Sequence, residues 1–244
     1  SPSIFGQEFV NEGIISPEDT VYQNRYPEEI GMLTFPGNEH SNHHHLASYF
    51  IDYQSLSTNI KTSLNGICQN NGLAFFCHPI KYSYDINWYK ELYNTYQCLI
   101  GIEVYNKKYD SNDNFYFDDF YKWDSLLDIF MPYRNIYGFA NDDFHTNEMG
   151  YGYCMFLMPE FSEHWAKKSM QNGQFYFVVT KGHESLPHPR IESIEIDNFK
   201  ISIEASNYET IEWVSSGVVV AKGNVIDVLK LENNINYVRA MIYS

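Results

Sequence analysis

Apolar and polar positions change their spacing twice along the chain. Up to residue 30 no period is visible and Pro, Glu, Asn and Gly are frequent, so this stretch reads as a long irregular connection. From Gly31 onward short apolar runs alternate with amphipathic stretches. The runs Gly31–Phe35, His45–Phe50, Leu73–Cys77, Cys98–Tyr105, Ile136–Ala140 and Cys154–Met158 predict strands. Gln54–Gln69, Asp85–Tyr96, Phe117–Phe130 and Phe161–Asn172 predict helices; in the first of them Leu56, Ile60, Leu64 and Ile67 share one face. Asn71-Gly72 and Gly173 stand where a helix C-terminus wants a residue that tolerates positive φ. Strands alternating with helices of this length imply βα units and a parallel sheet or barrel. Apolar strands such as Leu73–Cys77 suit a sheet covered on both faces.

The second change falls between Thr180 and Arg190, where Pro187 and Pro189 lie close together. Beyond it no helical period survives. Ile194, Ile196, Ile201, Ile203, Ile211, Trp213, Val218 and Val220 sit in alternating segments, with turns at Asp197-Asn198, Ser216-Gly217 and Gly223-Asn224. The pattern predicts two units: an α/β domain over residues 1–182 and a small antiparallel β domain, of sandwich type, over 183–244.

Composition adds to this. The 244 residues are 44% hydrophobic and 17% aromatic, enough for a sizeable core. The formal net charge of −15 disfavours non-specific binding to nucleic acid and to anionic membranes. A phosphate-bearing substrate would need a local positive site, which a bound metal ion can supply. No apolar run approaches the roughly 20 residues of a membrane-spanning helix. The four cysteines form no CxxC pair, and Cys77 and Cys98, within apolar runs, read as buried thiols. The chain opens on Ser1 and not Met, so the compartment stays open between cytoplasm and, if a leader preceded Ser1, periplasm or exterior.

Candidate chemistry gathers where apolar runs start or stop. His78 follows Leu73–Cys77 and precedes Pro79, at the rim where ligands collect in α/β folds; a capping or solvent-facing ring is the plainer reading. Asp143 and His145 follow the Ile136–Ala140 run at i and i+2, a spacing that places both on one face for chelation or acid–base work, or simply makes a turn with a surface histidine. Glu39 precedes a cluster of His40, His43, His44 and His45, in which His43 and His45 share a face if the segment is extended; a solvated loop is the alternative. Glu103, near the end of Cys98–Tyr105, reads either as a hydrogen-bond partner behind the ligands or as a solvent-facing carboxylate. Imidazole and carboxylate donors suit Zn, Mn or Fe. No GxSxG, P-loop, GxGxxG or HExxH supports a serine hydrolase, an NTPase, a dinucleotide-binding protein or a zincin.

In order, "FPGNEHSNHHHL", "GLAFFCHP", "GIEVYN", "YGFANDDFH" and "GQFYFVVTKG" resemble successive motifs of the polymerase-and-histidinol-phosphatase (PHP) family over about residues 31–244. The resemblance implies a distorted (β/α)7 barrel with a di- or trinuclear metal centre at the C-terminal rim of its strands. By matched position Glu39 would be the bridging carboxylate, His45 the histidine of the next strand with His43 or His44 as register alternatives, His78 a mid-domain ligand, and Asp143 and His145 the closing pair. The family's opening His-x-His pair and its Thr-Asp-His triplet do not occur, so the barrel is expected to be incomplete and this chain, taken alone, a poor catalyst that binds metal incompletely. The implied activity is metal-assisted hydrolysis of a phosphate ester of a small molecule, with Asp143 or a neighbouring histidine such as His145 moving the proton. A non-catalytic barrel remnant acting as a binding module is the alternative.

Overall fold

The computed structural model describes residues 31–109, 117–145, 149–180, 187–231 and 235–244. The irregular connection expected before residue 31 and part of the boundary segment, residues 181–186, lie outside them. Strands β1 (Gly37–His40), β2 (Leu46–Tyr49), β3 (Leu73–Phe76), β4 (Leu99–Asn106) and β5 (Tyr137–Asn141) form one sheet in that order. Only β3, β4 and β5 run parallel; β1 pairs with β2, and β2 with β3, in antiparallel fashion. The expectation of a wholly parallel sheet is therefore corrected. Residues 41–45 join β1 to β2, too short a link for the crossover that parallel neighbours require.

The first strand also falls later than expected. Gly31–Phe35 is not a strand; Leu33 and Phe35 pack as part-buried chain against the core, and pairing begins at Gly37. A Cβ on Gly37 would stand 2.7 Å from the Ser48 carbonyl oxygen, so glycine permits the close approach that starts the ladder.

Helices α1 (Ile60–Gln69), α2 (Ile86–Thr95), α3 (Phe117–Phe130) and α4 (Glu163–Asn172) follow the expected periods. Their starts are set by caps: Asn59 accepts from the Lys61 amide, Asp85 from those of Asn87 and Trp88, and Ser162 from that of Trp165. The cap at Asn59 explains why α1 begins later than Gln54, and Leu56, outside it, is 76% exposed. At the far end of α4, Gly173 adopts φ 67°, a left-handed conformation that glycine takes without strain.

Alternation along the strands feeds two apolar layers. Ala74, Phe76, Leu99, Ile102 and Val104 pack with α1, α2 and α3 through Leu64, Ile67, Leu92, Tyr93 and Leu126. On the other face Phe75, Cys77, Ile100 and Phe139 pack with Ala166 and Met170 of α4. β4 is buried at every position, as the central strand of a sheet covered on both sides should be.

β6 (Gly152–Phe156) and β7 (Phe175–Val179) pair with each other as an antiparallel ribbon, with α4 between them in sequence. Cys68 and Cys98 are joined in a disulfide, which corrects the reading of Cys98 as a free thiol. The end of α1 lies beside the start of β4, with the two Cα atoms 5.3 Å apart, inside the span a disulfide needs.

From residue 187 the described residues hold strands β8 (Arg190–Asp197), β9 (Lys200–Ser206), β10 (Thr210–Ser215), β11 (Val218–Lys222), β12 (Val225–Asp227) and β13 (Arg239–Tyr243), with one 3-10 turn at Val228–Lys230. They make two three-stranded antiparallel sheets, β12-β9-β8 and β11-β10-β13, around Ile203, Ile211, Trp213 and Ile226. This segment docks on α3. Buried Asp124 accepts from the Tyr237 hydroxyl at 2.8 Å and from Arg239 Nε and Nη2 at 2.9 and 2.8 Å.

Candidate metal centre

Strand register brings the chemistry to one rim. The C-terminal ends of β3, β4 and β5 lie side by side; β2 runs against β3, so its beginning sits at the same end. Leu46 pairs with Phe76, and the Cys77 amide donates to the His45 carbonyl, which carries His45 up to His78. β1 then sets Glu39 opposite Ala47, next to the same rim.

Here Glu39, His45 and His78 converge, with one donor atom from each lying within 4.8 Å of the others. His45 Nδ1 is 2.6 Å from Glu39 Oε1 and 3.0 Å from His78 Nε2. A single proton on His45 Nδ1 serves both contacts. Beyond the His78 ring the chain of contacts continues: His78 Nδ1 to Asp143 Oδ2 at 3.7 Å, then Asp143 Oδ1 to His145 Nε2 at 2.9 Å. Asp143 and His145 thus stand on the side of His78 away from Glu39 and His45. His145, 58% exposed, is the outermost member.

The other histidines of the cluster point elsewhere. His43 places Nε2 on the Ser63 hydroxyl at 2.8 Å and Nδ1 on the His44 carbonyl oxygen at 2.7 Å, so it turns to α1 and away from the centre. The expectation that His43 and His45 share a face is corrected, because residues 41–45 form a loop and strand parity does not apply to them. His44 is buried under Tyr82 and Trp88, with Nε2 at 2.8 Å from the Tyr89 hydroxyl; burial pushes its pKa down to about 3 and keeps the ring neutral. His40 is buried between Ser48 and the Ser55 amide, and burial lowers its pKa too. For His45 burial lowers the pKa, opposed by the charge of Glu39.

Glu103 is buried and accepts from the His78 amide, from Asn106 Nδ2 at 2.9 Å and from Asn141 Nδ2 at 2.7 Å. Of the two readings open in the sequence, it is a hydrogen-bond partner behind His78. Asn106, Asn141 and Asp142 went unmarked in the sequence. Their only local signal is that polar residues end two apolar strands. Asp142 accepts from the amides of Gly150, Tyr151 and Gly152, which pins the turn that carries Asp143.

His78 (φ 31°) and Asp143 (φ 48°) both hold left-handed backbone, a strained conformation for such residues that costs on the order of 1–3 kcal/mol each. That strain sits on two residues of the centre and is maintained by Glu103 and Asp142.

The donor set fits a divalent ion. Two imidazole nitrogens and a carboxylate are borderline ligands suited to Zn, Mn or Fe. Bonds of about 2.1 Å in tetrahedral array hold donors about 3.4 Å apart. The contacts of 2.6 and 3.0 Å would therefore open by less than an ångström as an ion replaced the shared proton.

Fold and centre together describe an α/β protein with a carboxylate–histidine group at the C-terminal rim of a mixed sheet. By sequence, neither a protein-family profile nor a curated protein matches the chain. Among solved structures it is similar to a two-domain protein containing predicted PHP-like metal-dependent phosphoesterase from Bacteroides vulgatus ATCC 8482. The TM-score is 0.50 at 12% identity, over 89% of this chain and 68% of that one. The likeness is one of fold: a PHP-like mixed α/β arrangement with additional antiparallel sheets.

Proposed function

We propose that the protein is a metal-dependent phosphoesterase that hydrolyses a phosphate ester of a small molecule. The observation that carries this reading is the unbroken line of contacts from Glu39 through His45, His78 and Asp143 to His145, assembled from separate segments at one rim. Glu39, His45 and His78 would hold the ion, with Asp143 and His145 behind the His78 ring as the groups that would move a proton. When bound, a divalent ion neutralises phosphoryl oxygens and lowers the pKa of water.

The protein's own groups do the rest. Glu103 fixes the His78 backbone in its strained turn. Tyr82 walls the centre, its ring centroid 6.0 Å from that of His45, and its hydroxyl accepts from the His45 amide. Asp143 orients His145 through Nε2, and the rest of that exposed ring meets solvent, which suits it to carry a proton. The net charge of −15 favours a small substrate that reaches a local cationic site over a polyanion that must cover the surface. We take residues 183–244 as a second unit, a reading supported by the strand-only pattern of its described part.

The test is metal content by elemental analysis combined with turnover of a generic phosphomonoester, before and after chelation and after adding Zn or Mn back. Metal-dependent turnover lost in His78→Ala supports the proposal. Bound metal with no turnover points to a non-catalytic binding module, and absence of both overturns the metal centre as well.

A further inference from the structure

We propose that Asn106 is a positioning residue of this centre: its amide nitrogen holds two carboxylates about the His78 ring and thereby fixes the direction in which that ring offers Nε2 to an ion. The inference rests on the metal-centre reading above and assigns a role to a residue outside that ligand set. Asn106 is the last residue of β4 and only 6% exposed. Its Nδ2 lies 2.9 Å from Glu103 Oε2, 3.3 Å from Asp143 Oδ2 and 3.3 Å from His78 Nδ1.

Chemistry settles which way the amide faces. Ionised carboxylates only accept, so the nitrogen and not the oxygen belongs against Glu103 and Asp143. An amide nitrogen carries two hydrogens, and the two carboxylates take both. The same two carboxylates stand 3.6 and 3.7 Å from His78 Nδ1, so the amide, both carboxylates and the Nδ1 edge of the ring pack as one group. With the Nδ1 edge held there, Nε2 is the atom that faces His45 Nδ1 at 3.0 Å. Polar groups packed behind one nitrogen of a histidine fix the ring's orientation and leave the other nitrogen for an ion.

A second observation points the same way. Asn106 Oδ1 is buried and has no hydrogen-bond partner among the described residues. Buried acceptors of this kind are rare in native proteins and call for an explanation. The acceptor sits on the same amide that orders the centre. A fully ionised phosphate has no hydrogen to give it; a water molecule or a free hydroxyl group of a substrate does. Asn106 therefore belongs to the ligand-bound form of the site and not to the packing of β4 alone.

The experiment is a cobalt(II) titration of the full chain followed by visible absorption, for the unaltered protein and for Asn106→Ala, with melting temperatures of the metal-free forms measured in parallel. The expected result is a roughly 10–100-fold weaker affinity and an altered cobalt spectrum in Asn106→Ala, the loss typical when a partner behind a metal ligand is removed. An unchanged affinity and spectrum, with only a lower melting temperature, overturns the proposal and leaves Asn106 a structural residue. If Asn106→Ala does not fold, Asn106→Ser, which keeps a shorter donor and acceptor, is titrated instead and read by the same criteria. Absence of cobalt binding by the unaltered protein removes this inference together with the metal centre; binding by it that Asn106→Ala shares fully removes this inference alone.

Discussion

Asp124 offers a sharp test of how the C-terminal strands are held. Its carboxylate takes three hydrogen bonds, two from Arg239 and one from Tyr237, and its side chain is 5% exposed against 13% for that of Arg239. The guanidinium also lies 5.4 Å from the Phe120 ring centroid and 5.3 Å from that of Trp123, so it is held between the carboxylate and two aromatic rings. Truncating one partner leaves the other charge buried and unpaired, which costs about 3–5 kcal/mol. Asp124→Leu and Arg239→Met should each lose about that much, a large share of the 5–15 kcal/mol that typically holds a domain together. For a chain of this size each kcal/mol lowers the melting temperature by roughly 2–4 °C. The double variant Asp124→Leu/Arg239→Met replaces the pair with apolar groups of similar bulk, and Tyr237 keeps its contact with the Ser216 amide at 2.8 Å. It should therefore be much closer to the parent than the sum of the single losses, giving a coupling energy of several kcal/mol. Urea unfolding followed by tryptophan fluorescence measures all four corners of the cycle. Single losses under about 1 kcal/mol, or losses that simply add in the double variant, would refute the reasoning and mean that the strands dock by other contacts.

Four further outcomes follow from the structure. Native protein at pH 8 should resist alkylation, because burial pushes the Cys77 thiol far up and the Cys154 thiol to about 12; unfolding without reductant should label two cysteines and with reductant all four. Reduction of Cys68–Cys98, which closes a 30-residue separation, should lower stability by roughly 3–4 kcal/mol in urea titrations on the chain-entropy account. Gly101→Ala should destabilise by about 1–3 kcal/mol or more in the same assay, since its Cβ would fall 2.3 Å from the Tyr137 carbonyl oxygen and 2.5 Å from the Phe139 ring. His43→Ala should keep its metal affinity, because His43 faces Ser63, whereas Glu39→Gln should lose affinity in a chelator competition assay; equal losses in the two would count against the assignment of the cluster.

Much of the local structure was legible in the amino-acid order. The Ile60–Leu64–Ile67 face, the cap at Asp85 and the glycine at 173 are local devices, and they produced the helices the period predicts, the first of them starting at its Asn59 cap and not at Gln54. The apolar run before His78 likewise marks a buried strand and its exit, because burial on both faces excludes polar residues until the strand ends. These same signals located Glu39, His45, His78, Asp143 and His145 as the residues worth watching.

Which of them meet was decided in three dimensions. Three successive histidines are equivalent as sequence, yet His43 turns to Ser63, His44 enters an aromatic pocket, and His45 reaches His78. That choice depends on the path of a loop, which carries no period. The antiparallel placement of β1 and β2, the disulfide between Cys68 and Cys98, and the amide of Asn106 between Glu103 and Asp143 are likewise contacts between segments far apart in the chain. Periodicity reports how a segment buries its own face, over a reach of one or two turns. It holds no information on which other segment covers that face. Pairing and register make that choice, and with it determine which ionisable groups share one rim.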